Sequence, residues 1–551
     1  MRRRSFVRLG AGAAVILGLG TALLLATAVP AGAAETGSSI IAAQPVTREI
    51  DLTTLPRATV RRGAPGEVRE IPRVLSQPVP ARRLPATGGE ATPPLPPAGR
   101  PALRLLRQLP GIPFSDVFPP DPNGDVGRAH YVQLTNARTG SFLSIFDKRG
   151  RAIVPLLELR SLLGDQTKPC FTAAHGDPIV LYDRLAERWL LSELAIEDPE
   201  EGPFHLCVYV SRSSDPVRGG WHVYDFLTPR FPDYPKYAAW PDAYYVTTNE
   251  SDADEQPSPT VYALERAAML RGERARATFR SVVPLPNLPF QALTPAVFEG
   301  PHRPPRGRRM PLLRQVDTEA LGVPGFPRRD LIQVFEARAR FGARPRLEVR
   351  LAAQVRVTEF DSDLCGLETF SCIVQPRDAR PLDPLREVIL WRLSYKNFGA
   401  SEALVGDFNV DVDGADTAGV RWFDLRRRQG TGWRVNNEGT QAPDPTNRWM
   451  GGVAMDREQN IALGYSVSSA TVNPGLRFAG CRGADPFGRL REEQILIGGG
   501  GVQTQSERWG DYFSMAVDPV DQCTFWFTGE YVGLGNIWQT RIASFEFPGC
   551  R

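Results

Sequence analysis

Lysine and histidine are both scarce. Four lysines (Lys148, Lys168, Lys236 and Lys396) and five histidines (His130, His175, His205, His222 and His302) stand in a chain of 551 residues. The histidines fall in no H-E-x-x-H pattern, no cysteine pair has zinc-site spacing, and no G-x-S-x-G elbow occurs. Zinc hydrolase and serine hydrolase chemistry therefore lack a signature. Positive charge is nearly all arginine, which base bias in the gene explains more simply than function does. The net charge of +3 is almost balanced, so charge gives no reason to expect nucleic acid or an anionic membrane surface as partner. Beyond the N-terminal run, no segment reaches the roughly 18 apolar residues that span a bilayer.

That first run is a targeting segment. Arg2, Arg3, Arg4 and Arg8 precede an apolar stretch from Leu9 to Val29 that ends in Ala31-Gly32-Ala33, an A-x-A cleavage pattern. Arg3-Arg4-Ser5-Phe6-Val7-Arg8 matches a twin-arginine signal. The reading is an export signal over 1–34, a Pro-rich and largely disordered linker over 35–110, and a folded region over 111–551. The mature protein is expected outside the cytoplasm or in the cell envelope, as a monomer without a membrane span. Seven cysteines suit such a compartment. Proximity in sequence pairs Cys365 with Cys372, Cys523 with Cys550 and Cys170 with Cys207, leaving Cys481 over.

A repeat sets the fold. Gly176-Asp177-Pro178-Ile179-Val180-Leu181-Tyr182-Asp183 followed by Trp189-Leu190-Leu191, Tyr237-Ala238-Ala239-Trp240-Pro241-Asp242 followed by Tyr244-Tyr245-Val246, and Gly451-Gly452-Val453-Ala454-Met455-Asp456 followed by Ile461-Ala462-Leu463 share one plan. The fullest copy of it stands between Trp509 and Tyr531, and the others are diluted versions of it. Each is a short apolar strand, a turn aspartate (183, 242, 456, 518) and a second apolar strand. Asp125, Asp177 and Asp233 stand about one propeller blade apart. Starts near 125, 177, 233, 291, 386, 451 and 511 predict an all-β chain with a single β-propeller, seven blades favoured and six or eight compatible. The last unit has room for three strands, so a strand from the N-terminal side is expected to close the ring. Ile40–Ala43, Ile50–Leu52 and Leu103–Leu106 are the candidates.

Blade beginnings carry acids, and Asp177, Asp233 and Asp511 are the candidate catalytic carboxylates if they converge on the channel. Strand starts also use such acids simply to bind backbone N–H groups. His175 sits beside Asp177 as a candidate ligand contact or as an ordinary hydrogen-bonded loop histidine. Asp121, Asn123 and Asp125 space oxygens as calcium loops do, without the glycine and glutamate positions of an EF-hand; Asp411–Asp416 is similar. Calcium is the one cofactor candidate, against a plain Asx-turn reading. Arg303, Arg306, Arg308, Arg309 and Arg314 cluster in a Pro-rich insertion, a meeting point for an anionic polymer or a solvated excursion.

Asp121–Val126, Gly176–Asp183, Asp383–Val388, Gly419–Phe423, Asn460–Ser469 and Trp509–Tyr531 together resemble a family of secreted bacterial propellers of sialidase-like architecture that has no settled reaction. The resemblance implies a propeller over about 120–550. An intact S-x-D-x-G-x-T-W box is missing; Ser213–Trp221 is the nearest. Tyr234, Glu250, Arg421, Tyr512 and Glu530 supply the residue types of a sialidase site without its spacing. Two functions follow as expectations. The first is an exported recognition or scaffold module that binds an extracellular glycan, other polymer or protein. The alternative is a sialidase-like glycoside hydrolase or lyase that uses channel carboxylates.

Overall fold

Short apolar runs separated by aspartate and glycine turns leave hairpins as the economical way to satisfy backbone groups, and the chain is built almost wholly from them. The computed structural model describes residues 40–60, 68–71, 96–198, 201–250, 257–286, 288, 290–321, 329–366 and 370–550. These form seven four-stranded antiparallel units in chain order. Their first strands are Asn123–Val126, Ala174–Asp183, Asp233–Ala239, Thr294–Phe298, Leu393–Asn397, Asn447–Met455 and Ser514–Val517, close to the expected starts. Each first strand packs against the first strand of the next unit, and the seventh returns to the first. In the fourth and fifth units the two pair directly and in parallel, Ala296 opposite Leu393 and Phe298 opposite Tyr395. This is β-propeller architecture. All first strands run the same way, so their starts share one face and their hairpin turns the other.

The seventh unit has three strands of its own, Ser514–Val517, Phe525–Val532 and Trp538–Glu546. Its fourth is Arg104–Pro110, antiparallel to Trp538–Glu546 from Arg541 opposite Pro110 to Glu546 opposite Arg104. This closes the ring with one of the three candidate segments. Two other described segments of the Pro-rich region also pair with the ring. Ile40–Ala43 adds a fifth strand to the third unit against Ala275–Ser281, and Val46–Arg48 does the same to the second against Trp221–Thr228. An apolar strand beside an open ladder gains hydrogen bonds that flanking prolines cannot forbid. The export signal at 1–34 lies outside the described residues.

Between the units the core is aromatic. Eight tryptophans, at 189, 221, 240, 391, 422, 449, 509 and 538, are fully buried, each worth roughly 2–3 kcal/mol of transfer free energy. Asp183, Asp456 and Asp518 cap their hairpins by accepting N–H bonds from Leu185, Asn460 and Val520 at 2.9 Å. Asp242 departs from the pattern: its Oδ2 accepts from the Tyr245 hydroxyl and from the Ala339 amide of the fourth unit. The three expected disulfides are all formed, Cys170–Cys207, Cys365–Cys372 and Cys523–Cys550. Cys481 is a free, buried thiol that burial pushes up to about 12.

Two of the four lysines are buried against the axis. Lys236 donates to Thr294 Oγ1 at 3.0 Å and to the Ile389 carbonyl at 2.8 Å, and Lys396 donates to the Glu299 carbonyl at 3.1 Å. Burial lowers both, Lys396 to about 7.

Glu193 gives the clearest pH signature of this core. It is 1% exposed, accepts the Tyr209 hydroxyl at 2.8 Å, and is pushed up to about 8 by burial. A carboxyl that binds its proton more tightly when folded stabilises most below its ordinary value of 4.5 and loses that contribution as pH rises to about 8. Thermal melts of Glu193→Gln should therefore gain on the natural protein progressively between those two pH values. A Tm difference that stays constant with pH would contradict a protonated Glu193.

Candidate functional site

Three of the first strands bend at their start. Register shifts fall between Gly176 and Ile179, Asp233 and Lys236, and Trp449 and Gly452. Inside each bulge one residue has positive φ: Asp177 at 53°, Tyr234 at 52° and Met450 at 49°. A bulge turns a side chain off the strand's alternation, and here it turns Asp177 and Tyr234 toward the axis. The equivalent of Asp177 in the third unit is thus Tyr234; Asp233 stands one place earlier, opposite Asn249 in the ladder.

Asp121, Asp177 and Asp511 meet there from the first, second and seventh units. The Asp511 amide donates to Asp121 Oδ1 at 2.8 Å, and Asn136 Nδ2 donates to Asp121 Oδ2 at 2.7 Å. The Tyr512 hydroxyl donates to Asp177 Oδ2 at 2.9 Å, and the Asp177 amide donates to Asn136 Oδ1 at 2.9 Å. Arg508 Nη2 donates to Asp511 Oδ2 at 2.9 Å, and Arg508 Nε lies 3.7 Å from Asp383 Oδ2. Tyr234 stacks on Tyr512 with ring centroids 5.1 Å apart. Glu530 accepts the Gly510 amide at 2.9 Å beneath them.

Several carboxylates in one dry site cannot all ionise cheaply. Burial, then Asp511 and Asp177, hold Asp121 well above the usual carboxylate range. Burial and Asp511 push Asp177 up to about 6, against the opposing pull of the Tyr512 hydroxyl and Arg508. Burial, joined by Asp121 and Asp511, also raises Glu530. Most of the cluster is shielded from solvent. Asp121, Asp511, Glu530, Arg508, Tyr234 and Tyr512 are buried and Asp177 is half-buried. Ile71 joins the cluster through its backbone, its carbonyl accepting from Arg508 Nη1 at 3.2 Å and its amide donating to the Phe118 carbonyl at 2.7 Å. Arg69 Nη2 is 3.1 Å from His175 Nδ1, and burial with that neighbouring charge pushes His175 down to about 4, a neutral ring.

The remaining candidates lie elsewhere. Glu250 accepts the Thr248 and Tyr262 hydroxyls at 2.7 Å within the third unit and is pushed up to about 7 by burial. Arg421 pairs with Glu438 at 2.7 Å within the fifth. The calcium candidates Asp121, Asn123 and Asp125 accept hydrogen bonds from donors in different places. Asn123 Oδ1 accepts the Val180 amide at 2.6 Å, and Asp125 accepts the Val126 and Tyr182 amides at 2.7 Å. Asp411 accepts the Asp413, Gly414 and Asp416 amides, so the second loop is an Asx turn.

Two polar groupings escaped the sequence reading. Arg392, fully buried, joins Asp125 of the first unit at 2.7 Å to Glu299 of the fourth at 2.6 Å, while Arg184 and Ser394 complete the shell around Glu299. Asp317, Glu319 and Asp330 bring ligand atoms within 4.8 Å of one another, but Asp317 and Asp330 accept backbone amides of Glu319, Ala320, Ser362, Thr318 and Phe360. An isolated arginine or acid between strands has no spacing to advertise it; only the ring closure brings the partners together.

No family model matches the chain, and no curated protein matches it. Solved structures similar to it include an endo-arabinase from Bacteroides thetaiotaomicron (12% identity, 57% of this chain and 95% of that one, TM-score 0.27). A protein of unknown function from Dyadobacter fermentans has 10% identity over 81% of this chain and 100% of its own, with a TM-score of 0.34. An ulvan lyase has 11% identity over 82% and 95%, with a TM-score of 0.33. At such identities and TM-scores the similarity assigns neither activity nor substrate to this chain.

Proposed function

We propose that this is an exported, seven-bladed recognition or scaffold propeller that binds an extracellular glycan, other polymer or protein, and that its channel carboxylates hold the ring rather than cut a bond. The hydrogen bonding within the Asp121–Asp177–Asp511 cluster carries this reading. Asp121 accepts from Asp511 and Asn136, Asp177 from Tyr512 and Asp511 from Arg508, which in turn donates to the Ile71 carbonyl. Acid–base work on a glycosidic bond needs two carboxylates facing an open cleft roughly 5–10 Å apart. The cycle of seven first strands supports the blade count. The three disulfides support export, and among the described residues no helix is long and apolar enough to cross a membrane.

A second reading has one observation in its favour. Asp177, pushed up to about 6 and hydrogen-bonded by Tyr512, has the proton affinity of a general acid. A polysaccharide and glycan array probed with the natural protein and with Asp177→Asn separates the two. The recognition reading expects the same ligands bound by both, within about threefold. Binding abolished by Asp177→Asn would overturn it and favour the enzyme.

A further inference from the structure

The hairpin face holds a pocket of about 570 Å³ between the second, third and fourth units, a size typical of small-molecule sites. Six arginines line it: Arg266, Arg303, Arg306, Arg308, Arg338 and Arg340. Two have carboxylate partners, Arg266 with Asp183 at 2.7 Å and Arg308 with Glu402 at 2.9 Å. The other four have no ion-pair partner among the described residues. Arg303 donates to the Leu185 carbonyl at 3.3 Å and Arg338 to the Gly307 carbonyl, and one such bond leaves most of the five N–H donors of a guanidinium available. Asp242 is the one carboxylate in the lining; its Oδ2 accepts from Tyr245 and Ala339, with the Arg338 charge also acting on it, and Glu348 feels the charges of Arg338 and Arg340.

The Pro-rich segment is largely exposed but anchored. That segment lies inside the fourth unit, between Thr294–Phe298 and Met310–Val316. Asn397 Nδ2 donates to the Arg303 carbonyl at 2.6 Å, the Trp240 indole donates to the Arg308 carbonyl at 3.0 Å, and Trp240 packs edge-on against Tyr395. Arg314, which belonged to the same cluster in sequence, is buried in the next strand on Gln333. An oxyanion is the ligand that uses the planar fork of a guanidinium with a charge-assisted, bidentate pair of hydrogen bonds.

We propose that this pocket binds a small ligand carrying at least two oxyanion groups: carboxylate, sulfate or phosphate. It lies at the opposite end of the first strands from the carboxylate cluster, so either assignment can fail alone. Calorimetric titration of the full chain with citrate, inorganic phosphate, a sulfated disaccharide and its unsulfated counterpart tests it and separates the oxyanion sources. The anionic probes should bind, more weakly as salt rises, and the unsulfated sugar should not. Arg306→Gln and Arg340→Gln, both at exposed positions, should each weaken binding about tenfold or more, with Tm unchanged and with Arg340→Lys recovering part of the loss. Asp177→Asn should leave anion binding as it is. Absence of binding by all three anionic probes, equal binding of the unsulfated sugar, or full affinity in the Arg306→Gln/Arg340→Gln double variant would overturn the proposal.

Discussion

A chain shortened to begin at residue 111 is expected to fail as a stable monomer. It keeps the four core strands of each of the first six units but loses the added strands Ile40–Ala43 and Val46–Arg48 and, with them, Arg104–Pro110, whose six paired positions complete the seventh. Each net backbone hydrogen bond is worth roughly 0.5–1.5 kcal/mol. Losing the ladder and the packing of Leu103 and Leu109 should therefore cost on the order of 5 kcal/mol, a large share of the ~5–15 kcal/mol that holds a typical domain together. The loss also bares Trp538–Glu546, a nine-residue edge with Ile542, Ala543 and Phe545 along it, and such an edge invites pairing with another copy. Size-exclusion chromatography should show oligomers or aggregate for 111–551 and monomer for a chain beginning at residue 96. A monomeric 111–551 melting with the full chain would contradict closure by this strand.

The second large effect is expected from Arg392→Ala. Arg392 is fully buried and touches two carboxylates from units that are not neighbours, Asp125 and Glu299. Burial alone would raise Glu299; Arg392, Arg184 and Lys396 together hold it below its ordinary value. Removing one partner of a buried charge network leaves the other charges unsolvated, which costs about 3–5 kcal/mol. The stranded carboxylates would then take up protons more readily, so the deficit should be largest at alkaline pH and shrink as pH falls. Chemical denaturation across pH checks this. Adding Glu299→Gln to Arg392→Ala should recover part of the loss, a non-additivity expected of groups in contact. A cost below about 1 kcal/mol, or one independent of pH, would show that the pair is not a pin.

The fold was legible in the sequence because its signal repeats. Blade length, turn aspartates and a short final unit are local patterns, and they pointed to an all-β propeller and to the need for a closing strand, while cysteine proximity gave the disulfides. What escaped was whatever depends on two units meeting. Asp233 looked like the partner of Asp177 because both precede apolar strands, yet the bulge shifts the inward place to Tyr234. Asp121, Asn123 and Asp125 have the spacing of a cation loop, but a β-strand sends their oxygens to different neighbours. Within the Pro-rich stretch at 35–110, Ile40–Ala43 and Leu103–Leu106 stood out as apolar runs, but Val46–Arg48 did not, since prolines mark where a strand stops and say little about the few residues between them. The same composition disguised a pinned loop at 303–308, whose tryptophan and asparagine anchors come from elsewhere in the chain.

The claim at the centre of this account is that the converging carboxylates are structural. It is tested most directly by product analysis on whichever polysaccharide the mature protein binds, followed for reducing ends and unsaturated termini from pH 5 to pH 8. The account predicts binding with no product above that of a heat-denatured control at any pH. Product formation that follows the protonation of a group near pH 6 and disappears in Asp177→Asn would contradict it and make Asp177 a catalytic acid.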